Sequence, residues 1–316
     1  MRKVVLKYCY LVIATIIIFG ISIFSISYYV LSKLTFARDS VFYGKSQSEL
    51  AREIRDELLK RSDIAEVSFY SKDNIKLAGY FLGRENAQAN LLLCHGYRGG
   101  KEFMYGYLDM FPKFNILMFD FRAHGQSEGK ITSIGCHEYK DVIAAAHFLK
   151  DKTTSAGKKP LPLIIIGISM GGAASIKAAE TDAGLCDALI IDSTYSDLKR
   201  TIIKTFSAKS GLPHYPFYPI VKTMLEYFGG CSLDIMNTSK AVRKIYKPIL
   251  FIHSCNDNFT SPKNSLMLYE NASSKYAKLW IGPKCRHGWL HSYYSELYKK
   301  KVTKFLAHAL PMLSAP

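Results

Sequence analysis

An apolar run, Leu163-Ile164-Ile165-Ile166, passes directly into Gly167-Ile168-Ser169-Met170-Gly171 and then into the small residues Gly172-Ala173-Ala174. No other feature constrains the fold as tightly. A G-x-S-x-G spacing has a mechanical reading: the serine occupies a tight strand-to-helix turn with strained dihedrals, and its flanks stay almost bare because strand and helix approach each other there. The isoleucine-rich run supplies the strand, and the small residues supply the start of the helix. Such a turn lifts the Ser169 hydroxyl to the end of a sheet, which makes it the candidate nucleophile. A chance Gly-Ser-Gly turn is the competing reading, and the context on both sides argues against it.

The rest of the chain alternates in the same way. Two β-like runs, Glu66 to Ser71 and Lys76 to Leu82, are joined by Lys72-Asp73-Asn74, a composition suited to a hairpin turn. Further strands are expected at Asn90 to Cys94, Asn115 to Asp120, Leu163 to Ile166, Ala188 to Asp192, Pro248 to His253 and Lys278 to Ile281. Helices are expected at Ile134 to Lys150, Met170 to Glu180, Pro262 to Asn271 and Ser292 to Ala309. This alternation predicts an α/β fold with a mostly parallel sheet covered on both faces. One connection breaks the rhythm: the stretch between Asp192 and Pro248 contains Gly211-Leu212-Pro213-His214-Tyr215-Pro216-Phe217-Tyr218-Pro219. Its prolines interrupt any helix and its aromatics offer apolar surface, so a small cap over the site, about residues 199–240, is weighed against a purely structural excursion.

The N-terminus has a different character. From Tyr8 to Leu31 no residue is charged, and a helix of about 24 residues at ~1.5 Å each reaches about 36 Å, against a bilayer core of about 30 Å. No small-x-small cleavage site follows it, so a retained membrane anchor over residues 1–34 is expected rather than a signal peptide. Arg2, Lys3 and Lys7 on one flank slightly outweigh Lys33, Arg38 and Lys45 on the other, which places the N-terminus in the cytoplasm and the body outside it. Residues 35–65 then form a connecting segment, in which Leu50, Ile54, Leu58 and Leu59 recur at helical spacing among charges between Ser46 and Lys60. Residues 66–316 form the main domain.

The formal net charge is +16, and the anchor contributes only Arg2, Lys3, Lys7 and Lys33 to it. Anionic lipid headgroups account for a basic body beside a membrane, and so do solvated lysines with no partner. A nucleic-acid partner is not expected, because no nucleic-acid motif or arginine-rich block is present. The seven cysteines show no C-x-x-C pair and no metal-ligand spacing. Cys94 reads as a small buried apolar residue, and Cys255 and Cys285 are the pair weighed for a disulfide.

A serine needs a base to take its proton and a third group to orient that base. Asp257 follows the apolar run Ile249 to His253, and His287 lies in a loop after the last strand, so the order Ser169, Asp257, His287 runs along the carboxyl ends of successive strands. His291 is a rival base, and Asp192 and Asp197 are rival acids. His253 reads as a satisfied core histidine. His287 and His291 stand four residues apart but lack a carboxylate neighbour, so no metal is expected. Backbone N–H groups of Met170 and Tyr97 are the candidate oxyanion donors, the first at a helix N-terminus and the second in the His95-Gly96-Tyr97 strand exit. The loop Asp120 to Gly129 reads as structural, with Asp120 pairing Arg122 and Ser127 turning the chain.

Together, the His95-Gly96 loop, the Asp120-x-Arg122-x-His124-Gly125-x-Ser127-x-Gly129 loop, the Ser169 elbow, Asp257 and His287 resemble the α/β-hydrolase superfamily, from about Glu66 to Leu310. The segment at Asp192, the short cap and the N-terminal anchor look like membrane-anchored bacterial hydrolases of the serine-aminopeptidase-like, prolyl-oligopeptidase-related branch. The resemblance implies an eight-stranded, mostly parallel sheet with an antiparallel second strand, and ester, thioester or amide hydrolysis without a cofactor. Three positions depart from the family pattern: Ala123 and Ser254 stand where glycine is usual, and Lys284-Cys285-Arg286 precede His287 where smaller residues are usual. A lipid or other acylated substrate fits the anchor, the basic body and the aromatic cap. Carboxylesterase or lipase-like action therefore ranks above peptidase action, and a non-catalytic binding protein on the same fold ranks below both.

Overall fold

The computed structural model describes residues 2–35, 41–42, 45–154 and 159–313. Arg38, weighed above for membrane sidedness, lies outside the described residues. Eight strands build one sheet: β1 (Ile64–Tyr70), β2 (Lys76–Leu82), β3 (Ala89–Cys94), β4 (Phe114–Phe119), β5 (Leu163–Ile168), β6 (Ala188–Asp192), β7 (Ile249–Ser254) and β8 (Ala277–Gly282). Their spatial order is β8-β7-β6-β5-β3-β4-β2-β1. β2 runs antiparallel to both neighbours, β1 and β4, and every other pair is parallel. The β1–β2 turn is closed at Asn74, which adopts the left-handed region with φ 61°.

The helices are α1 (Arg2–Thr35), α2 (Gln47–Leu58), α3 (Glu138–Thr153), α4 (Met170–Thr181), α5 (Leu198–Ser210), α6 (Phe217–Gly229), α7 (Thr238–Ala241), α8 (Lys263–Asn271), α9 (Leu290–Tyr293) and α10 (Ser295–Ala309). Every residue of β3 to β7 is buried, as expected of strands covered on both faces. Alternation divides them: Leu92, Ile165 and Ile191 enter one apolar core, and Leu91, Ile164 and Ile190 enter the other.

Several local expectations are corrected. α3 begins at Glu138 rather than Ile134, because Ile134 and Gly135 have φ of 55° and 110°, outside the right-handed helix. The Glu138 carboxylate instead gathers the N–H groups of Ser133 and Gly135 and the hydroxyls of Thr132 and Ser133 into a turn ahead of the helix. The final helix breaks at Tyr294 into α9 and α10. Asp120 does not pair with Arg122: its Oδ2 meets Lys101 Nζ at 2.7 Å, while Arg122 reaches Asp141 at 2.6 Å and Asp73 at 2.8 Å. The Ser127 hydroxyl does close the loop, donating to the Asp120 carbonyl at 2.6 Å. Cys255 and Cys285 are free thiols, and Cys136 pairs with Cys231 across Cα atoms 6.3 Å apart.

α5 and α6 occupy the long connection between β6 and β7, separated at the proline-rich stretch 211–216. α1 is long and apolar enough over Arg2–Ser32 to cross a membrane, by length and composition. Its far end is fastened to the body: α1 packs along α6, Ser27, Leu31 and Thr35 are buried, and the Thr132 N–H donates to the Thr35 carbonyl at 3.0 Å.

Candidate active site

β3 and β5 are neighbours in the sheet, although β4 intervenes in sequence and lies on the other side of β3. The chain reverses its direction of growth there, and the crevice above the carboxyl ends of such strands is where an α/β sheet presents ligands. Both flanking loops carry predicted residues: His95-Gly96-Tyr97 leaves β3, and Ser169 leaves β5.

Ser169 has φ 53° and ψ −116°, the strained turn predicted from the G-x-S-x-G spacing. Its neighbours explain the glycines. A Cβ at Gly171 would overlap the carbonyl oxygens of Cys94 and His95, and one at Gly167 would stand 2.6 Å from the Gly171 carbonyl oxygen. The turn is tied down from the side by Ser169 N–H to the Asp192 carbonyl at 2.8 Å and by the Thr194 hydroxyl to the Ser169 carbonyl at 3.0 Å.

The loops after β7 and β8 bring Asp257 and His287 to this serine. His287 Nε2 lies 2.9 Å from Ser169 Oγ, and His287 Nδ1 lies 2.6 Å from Asp257 Oδ2. A carboxylate accepts, so Nδ1 carries the proton and Nε2 is left to accept from the serine hydroxyl. Asp257 is held by an Asx turn in which Oδ1 accepts the N–H groups of Phe259 at 2.9 Å and Thr260 at 3.0 Å. Burial alone would raise its pKa, but hydrogen bonds from His253 and His287 outweigh that and hold the carboxyl well below the usual range. A hydroxyl paired with an imidazole that a buried carboxylate orients can lose its proton as it attacks a carbonyl carbon.

The rivals fall elsewhere. His291 is buried on α9, stacked on Tyr107 with ring centroids 4.6 Å apart, and burial pushes its pKa down to about 4. Asp192 is fully buried at the end of β6, where it accepts the Ser193 hydroxyl at 2.8 Å and burial raises its pKa to about 6. Asp197 caps α5 by accepting the Arg200 N–H. His253 is buried and satisfied as predicted, yet its Nε2 also approaches Asp257 Oδ2 at 3.2 Å, so two histidines share one carboxylate.

Tyr97 and Met170 both adjoin the nucleophile. Met170 opens α4 directly after Ser169, and a Cβ at Gly96 would lie 3.5 Å from the Ser169 Cβ, which places the Gly96-Tyr97 backbone against it. Two cavities meet at the serine. One, about 380 Å³, is bordered by His287, Arg286, Trp289 and Met104. The other, about 410 Å³, is bordered by Met170, Tyr195, Ile202, Phe206 and, from α1, Tyr29 and Val30. Tyr97, Arg98 and Phe259 line both.

Sequence reasoning passed over Thr260, whose hydroxyl donates to the Ser193 carbonyl at 2.9 Å and lies 3.0 Å from His287 Nδ1. The Asp257-x-x-Thr260 spacing, an Asx-turn signature, carried that signal. Phe259, with its ring centroid 4.9 Å from that of His287, was also missed.

The chain is similar to known proteins in sequence and in fold. The Bacillus subtilis protein YqkD is 29% identical over 236 residues, covering 73% of this chain and 75% of its own. A Saccharomyces cerevisiae membrane protein, YNL320W, is 23% identical over 226 residues, covering 70% and 72%. Among solved structures, the Pyrococcus furiosus esterase Pf2001 superposes with a TM-score of 0.65 at 23% identity, over 86% of this chain and 97% of its own. At that identity the likeness speaks for the α/β-hydrolase fold alone. The model of the prolyl oligopeptidase family matches residues 129–312, more than half of the sequence and the part that carries Ser169, Asp257 and His287. On that match, and with this sheet, the chain belongs to the prolyl oligopeptidase family of α/β hydrolases.

Proposed function

We propose that the chain is a membrane-anchored serine hydrolase that cleaves carboxylic ester or thioester bonds through Ser169, His287 and Asp257. The observation that carries the reading is the chain of short contacts, 2.9 Å from Ser169 Oγ to His287 Nε2 and 2.6 Å from His287 Nδ1 to Asp257. His287 takes the hydroxyl proton as Ser169 Oγ bonds to the acyl carbon, and the carbonyl oxygen takes up negative charge between the N–H groups of Tyr97 and Met170. The bond to the leaving oxygen or sulfur then breaks, and the imidazolium gives its proton to that atom. Water, activated by the same imidazole, releases the acid from the acyl-enzyme and restores Ser169.

The two cavities divide the substrate. The leaving atom must receive the His287 proton, which assigns the alcohol part to the cavity bordered by His287 and the acyl part to the one bordered by Met170. The acyl cavity is walled largely by apolar side chains, which supports a lipid or acylated substrate. A peptidase reading is favoured by the family match and predicts release of amino-terminal residues from peptides. A panel of p-nitrophenyl esters of increasing chain length against aminoacyl and peptide p-nitroanilides separates the two, and faster amide turnover would replace the esterase reading.

α1 supports membrane anchoring, and the Cys136–Cys231 pairing supports a body on the oxidising, extracytoplasmic side. Labelling intact cells with a membrane-impermeant amine reagent tests this: modification of body lysines is expected, and protection of all of them would place the body inside.

A further inference from the structure

The acyl cavity has one wall that does not belong to the catalytic body. Tyr29 and Val30 of α1 line it together with Leu198, Thr201 and Thr205 of α5. α1 packs along α6, and both α1 and α5 contribute side chains to the lining of this cavity.

The spacing along α1 gives this wall a position in the membrane. Tyr8 and Tyr10 stand near one end of the uncharged segment and Tyr28 and Tyr29 near the other. Tyrosine settles at bilayer interfaces, and the 20-residue step from Tyr8 to Tyr28 rises about 30 Å, the thickness of a hydrocarbon core. The side chains between them, such as Ile13, Ile17 and Ile21, are exposed on the helix, whereas Ser27, Leu31 and Thr35 are buried against the body. A bilayer spanned by Tyr8 to Tyr28 therefore meets the body at the turn that carries Tyr29 and Val30.

Resting on the serine-hydrolase reading, we propose that α1 forms part of the acyl-binding site, and that the substrate is an acyl-ester lipid of the bilayer that α1 spans. Its acyl chain passes from the membrane between α1 and α5 to Ser169. The anchor thus selects the substrate as well as holding the enzyme. The alcohol part leaves through the His287 cavity, which Arg286 and Arg98 help to line.

The test uses the full chain in phosphatidylcholine vesicles, with p-nitrophenyl palmitate in the same bilayer and p-nitrophenyl acetate in solution. Val30→Trp fills the wall, and the palmitate-to-acetate ratio of kcat/KM is expected to fall by about ten-fold or more. Ile21→Trp, on the exposed side of α1, is expected to leave the ratio unchanged. Palmitate ester supplied in separate, protein-free vesicles is expected to turn over much more slowly than ester in the enzyme's own bilayer. An unchanged ratio in Val30→Trp, with Ser169 still labelled by a small fluorophosphonate, overturns the inference, as does equal turnover from separate vesicles. Neither result touches the hydrolase reading, which fails in this assay if the wild type cleaves neither ester. If Val30→Trp is not labelled and so has not folded, Thr205→Trp, on α5 in the lining of the same cavity, takes its place with the same expected loss.

Discussion

The Ser254 hydroxyl lies 2.9 Å from the Cys285 peptide nitrogen and accepts its N–H, and the same oxygen is 3.0 Å from the carbonyl oxygens of Pro283 and Cys285. One side chain at the end of β7 thereby fixes the loop that delivers His287. Ser254 and Lys284-Cys285-Arg286 both depart from the family pattern, and the contact couples them: the hydroxyl secures the His287 loop, which is built from bulky residues. Ser254→Gly is expected to lower kcat for a p-nitrophenyl ester by about ten-fold, because a base misplaced by an ångström loses proton-transfer geometry. Fluorophosphonate labelling of Ser169 should slow in parallel. Unchanged kinetics would mean that the loop holds His287 without this hydroxyl.

Asp257 accepts from His287 and His253 and from two backbone N–H groups. Asp257→Asn keeps the shape but allows the wrong imidazole tautomer, and kcat is expected to fall by about 10³ to 10⁴-fold with little change in KM. A loss below about ten-fold would point to another orienting group, and Thr260, 3.0 Å from His287 Nδ1, is the nearest alternative.

Acid should unfold the body through histidines that are buried neutral. His95 Nε2 accepts the Phe121 N–H at 3.0 Å and its Nδ1 meets the Gly96 carbonyl at 2.7 Å, so protonation would set two donors against each other. Burial, with His124 beside it, pushes its pKa down to about 3, and burial takes His291 down to about 4. The unfolded chain binds these protons near pH 6.5, so both groups leave stability intact above that value and reduce it as the pH falls toward about 4. The sign follows because the unfolded state holds more protons throughout that window, at up to about 1.4 kcal/mol per pH unit for each group. Urea unfolding at a series of pH values should show a shallower acid slope in His291→Phe than in the wild type. Identical slopes would remove His291 from the account.

Ala123 occupies the left-handed region with φ 59°, a conformation that costs a residue with a Cβ about 1–2 kcal/mol and glycine almost nothing. Ala123→Gly is expected to stabilise the chain by about 0.5–1 kcal/mol after glycine's extra unfolded-state entropy is counted. Thermal unfolding reads this as a rise of a few degrees, and a fall would show that the Ala123 methyl makes packing contacts worth more than the strain.

The sheet, the elbow and the order of Ser169, Asp257 and His287 were legible because each rests on local rules: apolar runs of strand length, a turn that only small flanking residues permit, and polar residues at strand ends. Contacts between segments far apart in sequence were not. The Lys101–Asp120 pair replaced the expected Asp120–Arg122 pair because Lys101, buried beside Tyr80, needs a carboxylate more than exposed lysines do, and composition does not reveal burial. The start of α3 shifted because Glu138 satisfies its own turn, a network that a periodicity reading sees only as polar residues. The share of α1 in the cavity beside Met170 was invisible for the same reason: a stretch such as Tyr8 to Leu31 reads as a membrane segment and nothing more until its end is seen against the body.

The proposed chemistry rests on a single hydroxyl, that of Ser169. The full chain and its Ser169→Ala variant, matched for folding by thermal unfolding, should be compared for p-nitrophenyl ester hydrolysis and for covalent labelling by a fluorophosphonate. Turnover and labelling are expected of the wild type, with both lost in Ser169→Ala to below about a thousandth of the wild-type rate. Equal ester turnover by the two proteins would contradict it.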